Sequence, residues 1–126
     1  MTNGTGNQYP DRELRRDKRF KVSQVAVITQ PGHADIACEI HDFCQGGLFL
    51  KFTNPDAAIA SLAKRTDDGV EIVFSPASID AVQTFRVSAR LKRLSPQGIG
   101  VVFAQQPVDA LRALQKLRMT SHRQKL

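Results

Sequence analysis

From residue 25 onward the chain alternates apolar and polar positions with a period of two. Val25, Val27 and Thr29 alternate with Ala26 and Ile28 until Pro31-Gly32 stops the run, which predicts a first strand closed by a turn. Ile36, Cys38 and Ile40 alternate with Asp35, Ala37, Glu39 and His41, the pattern of a strand with one wet face. Gln45-Gly46-Gly47 reads as a turn, and residues 48–52 as the next strand. These two runs are expected to pair as a hairpin-like unit around a loop at 42–47. Asn54-Pro55-Asp56 offers an N-cap followed by proline at the first helical position, so a short helical piece is predicted over 57–64.

Strand signals return at 70–74, 84–94 and 99–103, with Ser95-Pro96-Gln97-Gly98 as the turn into the last of them. The period then changes. Over 107–119, Val108, Leu111, Leu114 and Leu117 recur at helical spacing, Pro107 opens the segment and Asp109 sits in its first turn. Several strands with no long helix between them argue for an antiparallel barrel or sandwich rather than a βαβ fold. The terminal helix is expected to pack on one end of it.

Composition refines this. The 126 residues suffice for one domain, and seven Phe, one Tyr and no Trp leave the core to Val, Ile, Leu and Phe. No apolar run approaches the roughly 20 residues of a membrane span, and the polar start is not a secretory signal, so a cytoplasmic, soluble protein is expected. Residues 1–10 read as a disordered leader. The net charge of +6 is carried by the ends: six basic against three acidic side chains over 11–21, and five against none over 111–126. Such ends suit an anionic partner, or simply solvated basic segments.

Two stretches could carry chemistry. Arg15-Arg16-Asp17-Lys18-Arg19 holds guanidiniums four apart, whose planar donor forks match phosphate oxygens or the O6/N7 edge of guanine. Arg12 and Arg16 offer an alternative register with less room before the first strand. Asp42-Phe43-Cys44-Gln45-Gly46-Gly47 supplies a carboxylate acceptor for a guanine N–H edge, or a turn cap, and glycines that permit close backbone approach. Cys44 with His41 makes a poor nucleophilic pair, because an odd step on a strand points the two apart. Cys38, His41 and Cys44 do not converge as metal ligands without a sharp bend. Cys38 is expected to pack as a small buried side chain. Neither a catalytic residue nor a metal site is assigned, and no enzyme is expected.

Together the two stretches resemble the PilZ domain family of bacterial cyclic di-GMP receptors. Arg15 and Arg19 match its R-x-x-x-R arm. Asp42 and Gly47 match its [D/N]-x-S-x-x-G turn, with Cys44 where the family has serine. The run 98–103, GIGVVF, resembles its closing strand. The resemblance implies a six-stranded antiparallel β-barrel of Greek-key-like order with a C-terminal α-helix. It spans 11–118, with a basic arm at 11–21 and a helix at 107–119, and leaves a basic tail at 120–126.

It further implies cyclic di-GMP as ligand and no other cofactor. Arg15 and Arg19 would be the principal ligand residues, Arg16 a third guanidinium, Asp42 and Cys44 guanine contacts, and Gly47 the residue that keeps the turn open. A single-domain receptor or adaptor would change its arm conformation and signal to an unidentified protein partner in motility, biofilm or exopolysaccharide control. The alternative is an interaction module whose cyclic di-GMP binding is weakened or lost. A nucleic-acid partner is not expected, since base stacking on a barrel face needs exposed aromatics that this chain scarcely has.

Overall fold

The computed structural model describes residues 18–77 and 83–125. Six antiparallel strands close into a barrel: β1 (Phe20–Thr29), β2 (Ile36–Phe43), β3 (Gly47–Phe52), β4 (Gly69–Phe74), β5 (Phe85–Leu94) and β6 (Gly98–Phe103). Their order around the barrel is β1-β2-β3-β6-β5-β4. A six-stranded antiparallel barrel is thus what the alternation and the resemblance together imply. The β2–β3 hairpin forms as expected, with Cys38 opposite Phe52 and Ile40 opposite Leu50. The first strand buries Ala26 and Ile28, whereas Val25 on its other face is 72% exposed. Closure puts Ala26 and Ile28 inside and leaves the face of Val25, Val27 and Thr29 outward.

The alternation Ile36, Cys38, Ile40 would carry position 42 inward. It does not, because the β2–β3 register shifts between Ile40 and Asp42. A bulge adds one residue to a strand and turns the following side chains over. The next buried position after Ile40 is therefore Phe43, 4% exposed. Two expectations change as a result. Asp42 belongs to β2 rather than to a loop, and Phe43, expected as a loop aromatic, ends in the core with its ring 5.7 Å from that of Phe20.

Short helix α1 (Pro55–Leu62) begins where the sequence places it. The Asn54 side-chain oxygen accepts the Ala57 N–H at 3.4 Å, and Ala58 and Leu62 are buried. At that end of the barrel the buried amide of Gln30 donates to the carbonyls of Asp67 and Gly69 at 2.9 and 2.6 Å. Arg65 ties the same corner together through Gln30, Ala34 and Ser61, and burial lowers its pKa.

β1 pairs with β4 only over Val27, Ile28 and Thr29. Helix α2 (Val108–Lys125) packs against β1 and β5, burying Ala110 and Leu114. It runs past position 119, where the periodicity ends, through most of the stretch expected as a tail. Among the described residues no helix is long and apolar enough to cross a membrane.

Candidate functional site: a cleft over the β2–β3 turn

The turn between β2 and β3 is held at its base by the Cys44 N–H, which donates to the Gly47 carbonyl at 2.9 Å. Phe103 of β6 donates its N–H to the Gly46 carbonyl at 2.9 Å, which draws the turn against the end of that strand. The Gln106 side chain reaches the Gln45 carbonyl at 3.2 Å and anchors the lead-in to α2 on the same turn. These contacts enclose an open cleft of about 480 Å³ lined by Arg19, Cys44, Gln45, Gly46, Gly47, Val101, Val102 and Gln106.

Arg19 lies just before β1 and its guanidinium bridges two residues of the second motif. Nε donates to Asp42 Oδ1, and Nη1 donates to Cys44 Sγ at 3.2 Å. The Asp42 side chain is 16% exposed and that of Arg19 is 42% exposed, so the ion pair has one foot in the protein and one in solvent. The register explains this meeting: Lys21 stands opposite Asp42 and Phe20 opposite Phe43, which brings the residue before Phe20 to the turn. The bulge in β2 supplies the other half, since without it the carboxylate would face the core.

The close backbone approach expected of the turn glycines is found at Gly47, and it is an approach between strands. Neither Gly46 nor Gly47 has a positive φ; among the described residues only Gly32 does, at 82°. What Gly47 provides is proximity: a Cβ there would lie 2.0 Å from the Val101 carbonyl oxygen. Gly98 repeats the arrangement at the far end of the same strand pair, where a Cβ would lie 2.2 Å from the Leu50 carbonyl oxygen. The two glycines let β3 and β6 close together, and the cleft lies over one of them.

Arg19, Asp42, Cys44 and Gly47 are therefore brought together. Arg15 and Arg16, and Arg12 of the alternative register, lie outside the described residues. Cys38 points into the barrel, 1% exposed, and burial pushes its thiol up to about 12. His41 turns its ring edge to Phe49, with centroids 6.2 Å apart. The sequence reading did not single out Val101, Val102 or Gln106 as part of a site. The valines look like any closing strand, and the bond from Gln106 to Gln45 spans 61 positions that no local pattern relates.

Beside the cleft, Phe20 joins the arm to α2. Its ring packs on Phe43 and carries the Arg118 guanidinium at 4.5 Å, with the Lys18 ammonium at 5.6 Å. A cation over an aromatic face is held by the ring quadrupole, by about 0.5–1 kcal/mol at an exposed site.

Residues 13–119 match the profile of the family described as PilZ domain. No curated protein matches by sequence. Solved structures share the fold. The PilZ domain of CeSA from a cellulose-synthesizing bacterium aligns with a TM-score of 0.57 at 19% identity, covering 80% of this chain and 98% of that one. The Bacillus subtilis inhibitor of motility MotI/DgrA aligns with a TM-score of 0.57 at 10% identity, covering 86% of this chain and 50% of that one. The Borreliella burgdorferi PlzA protein, solved in complex with c-di-GMP, aligns with a TM-score of 0.53 at 16% identity, covering 91% and 45%. At such identities the likeness is one of fold.

Proposed function

The chain belongs to the PilZ domain family, and on that premise we propose that it is a cytoplasmic, non-catalytic receptor for cyclic di-GMP. The observation that carries this reading is Arg19, which reaches both Asp42 and Cys44 across 23 and 25 positions of sequence at the edge of one cleft. Two N–H groups, on Nε and Nη1, tether the guanidinium. The remaining donors and both faces suit a phosphate, a guanine edge or a stacked base. Asp42 keeps a second oxygen with which to accept from guanine N–H groups, and the glycine turn admits the ligand close to the backbone.

Arg15 and Arg16 would then close over the dinucleotide from the arm. A change of arm conformation on ligand binding would have a route outward. Arg19 adjoins Phe20, and Phe20 is where Arg118 of α2 rests. Ligand binding that shifts Phe20 would alter the seat of α2, and a protein partner would read that change.

Cys44 favours a second reading, the interaction module with weakened or lost binding. A thiol is a poorer donor and acceptor than a hydroxyl. One neutral hydrogen bond is typically worth about 0.5–1.5 kcal/mol, a factor of a few to about ten in affinity. Calorimetric titration with cyclic di-GMP, with GTP and cyclic di-AMP as controls, separates the two. The receptor reading expects selective binding, its loss in Arg15→Ala/Arg19→Ala, and a gain of a few-fold to about tenfold in Cys44→Ser. Absence of heat at saturating cyclic di-GMP in both wild type and Cys44→Ser would leave the interaction module standing.

A further inference from the structure

The charge around the cleft is less positive than the chain's +6 suggests. Arg19 is the one cation that lines it among the described residues, and its Nε is engaged by Asp42. An ion pair of this kind is electrically close to neutral. A cyclic dinucleotide carries two phosphates, so cations beyond Arg19 must be found.

The strand register points to one further source. In the sheet, Gly47 of β3 stands opposite Val102 of β6, and Val102 stands opposite Arg90 of β5. The first two members of this rung line the cleft. Gly47 has no side chain, and Val102 is short and 38% exposed. Nothing tall on the rung separates the cleft from Arg90. Adjacent strands lie about 4.8 Å apart, within the reach of an arginine side chain leaning over one valine.

The surroundings single Arg90 out from its neighbours. Residues 86–108 contain Arg86, Arg90, Lys92 and Arg93 and no acid. Arg86 is bound to Glu71 at 3.0 Å. Arg93 stands opposite Gly100, on the next outward rung, away from the lining residues. Arg90 is exposed, and among the described residues it has no hydrogen-bond or ion-pair partner.

We infer that Arg90 is a further ligand residue of this site, engaging an anionic or guanine-edge group of the dinucleotide from the β5 side. This inference rests on the receptor reading above. The dinucleotide would lie across the Gly47–Val102–Arg90 rung, with Val102 as an apolar contact beneath it.

The test is a set of calorimetric titrations with cyclic di-GMP on the full chain, comparing wild type, Arg90→Ala, Arg90→Lys, Arg86→Ala and Arg19→Ala, each also melted thermally to check folding. Arg90→Ala is expected to weaken binding about tenfold, the scale of a lost charge-assisted hydrogen bond. Arg90→Lys should recover part of the loss, Arg86→Ala should stay within about twofold, and the melting temperature of Arg90→Ala should be unchanged. Wild-type affinity in Arg90→Ala, alongside impaired Arg19→Ala, overturns the role of Arg90 and leaves the receptor intact. Equal losses in Arg90→Ala and Arg86→Ala also overturn it, since general charge would then suffice. Absence of binding by wild type overturns both readings.

Discussion

At the scale of single residues, Gly47 shows how a motif position can have a mechanical cause. The family motif asks for glycine at the turn, and φ plays no part in this one. The Val101 carbonyl occupies the place a Cβ would need. Gly47→Ala must push β3 away from β6, a kind of overpacking that typically costs about 1–3 kcal/mol. Gly46→Ala, whose Cβ would meet nothing within 4 Å, is expected to be nearly neutral. Urea denaturation of the two variants checks this, and equal stabilities would refute the close-approach account. Arg19, Asp42 and Cys44 were each nameable from the sequence. That one guanidinium touches both of the others was not, because β-pairing between distant segments decides it.

The elements were legible to the extent that their patterns are local. Every strand core, the Asn54 cap and the onset of both helices follow from period, turn chemistry and capping residues within a few positions. What the period could not show is the bulge in β2. A strict alternation through Ile36, Cys38 and Ile40 puts Asp42 inside, and only pairing against β3 reveals the extra residue that turns it out. The terminal helix makes the same point differently. Its apolar stripe was visible, but that the stripe packs against β1 and β5 was not. Leu114, 1% exposed, seats α2 on the barrel. Leu114→Ala should therefore cost about 2–5 kcal/mol in urea denaturation, against little for the exposed Arg112→Ala. Comparable losses in both would mean that α2 is not seated by its apolar face.

For the molecule as a whole, the closed barrel sets how stability responds to pH through Cys38. Burial raises its thiol from 9.0 to about 12. Between those values the folded chain keeps a proton that the unfolded chain releases, so this contribution is complete below pH 9.0 and declines as pH rises toward about 12. Stability curves of wild type and Cys38→Ala should run parallel below that window, with the wild type losing more within it. Parallel curves throughout would show that burial does not hold the folded thiol above its unfolded value.

The sequence by itself determined the core of each strand, the two helices, the basic ends and the motif residues, because each is written in near neighbours through period, caps and turn chemistry, whereas the start of β1, from Phe20, was read as arm. Tertiary structure alone decided which face of β1 is inside, that Asp42 points outward, and that Gln106 meets Gln45. It also decided that Gly47, Val102 and Arg90 share a rung. These depend on register and closure, which are properties of paired segments and of the sheet they complete, and no single stretch of chain contains them.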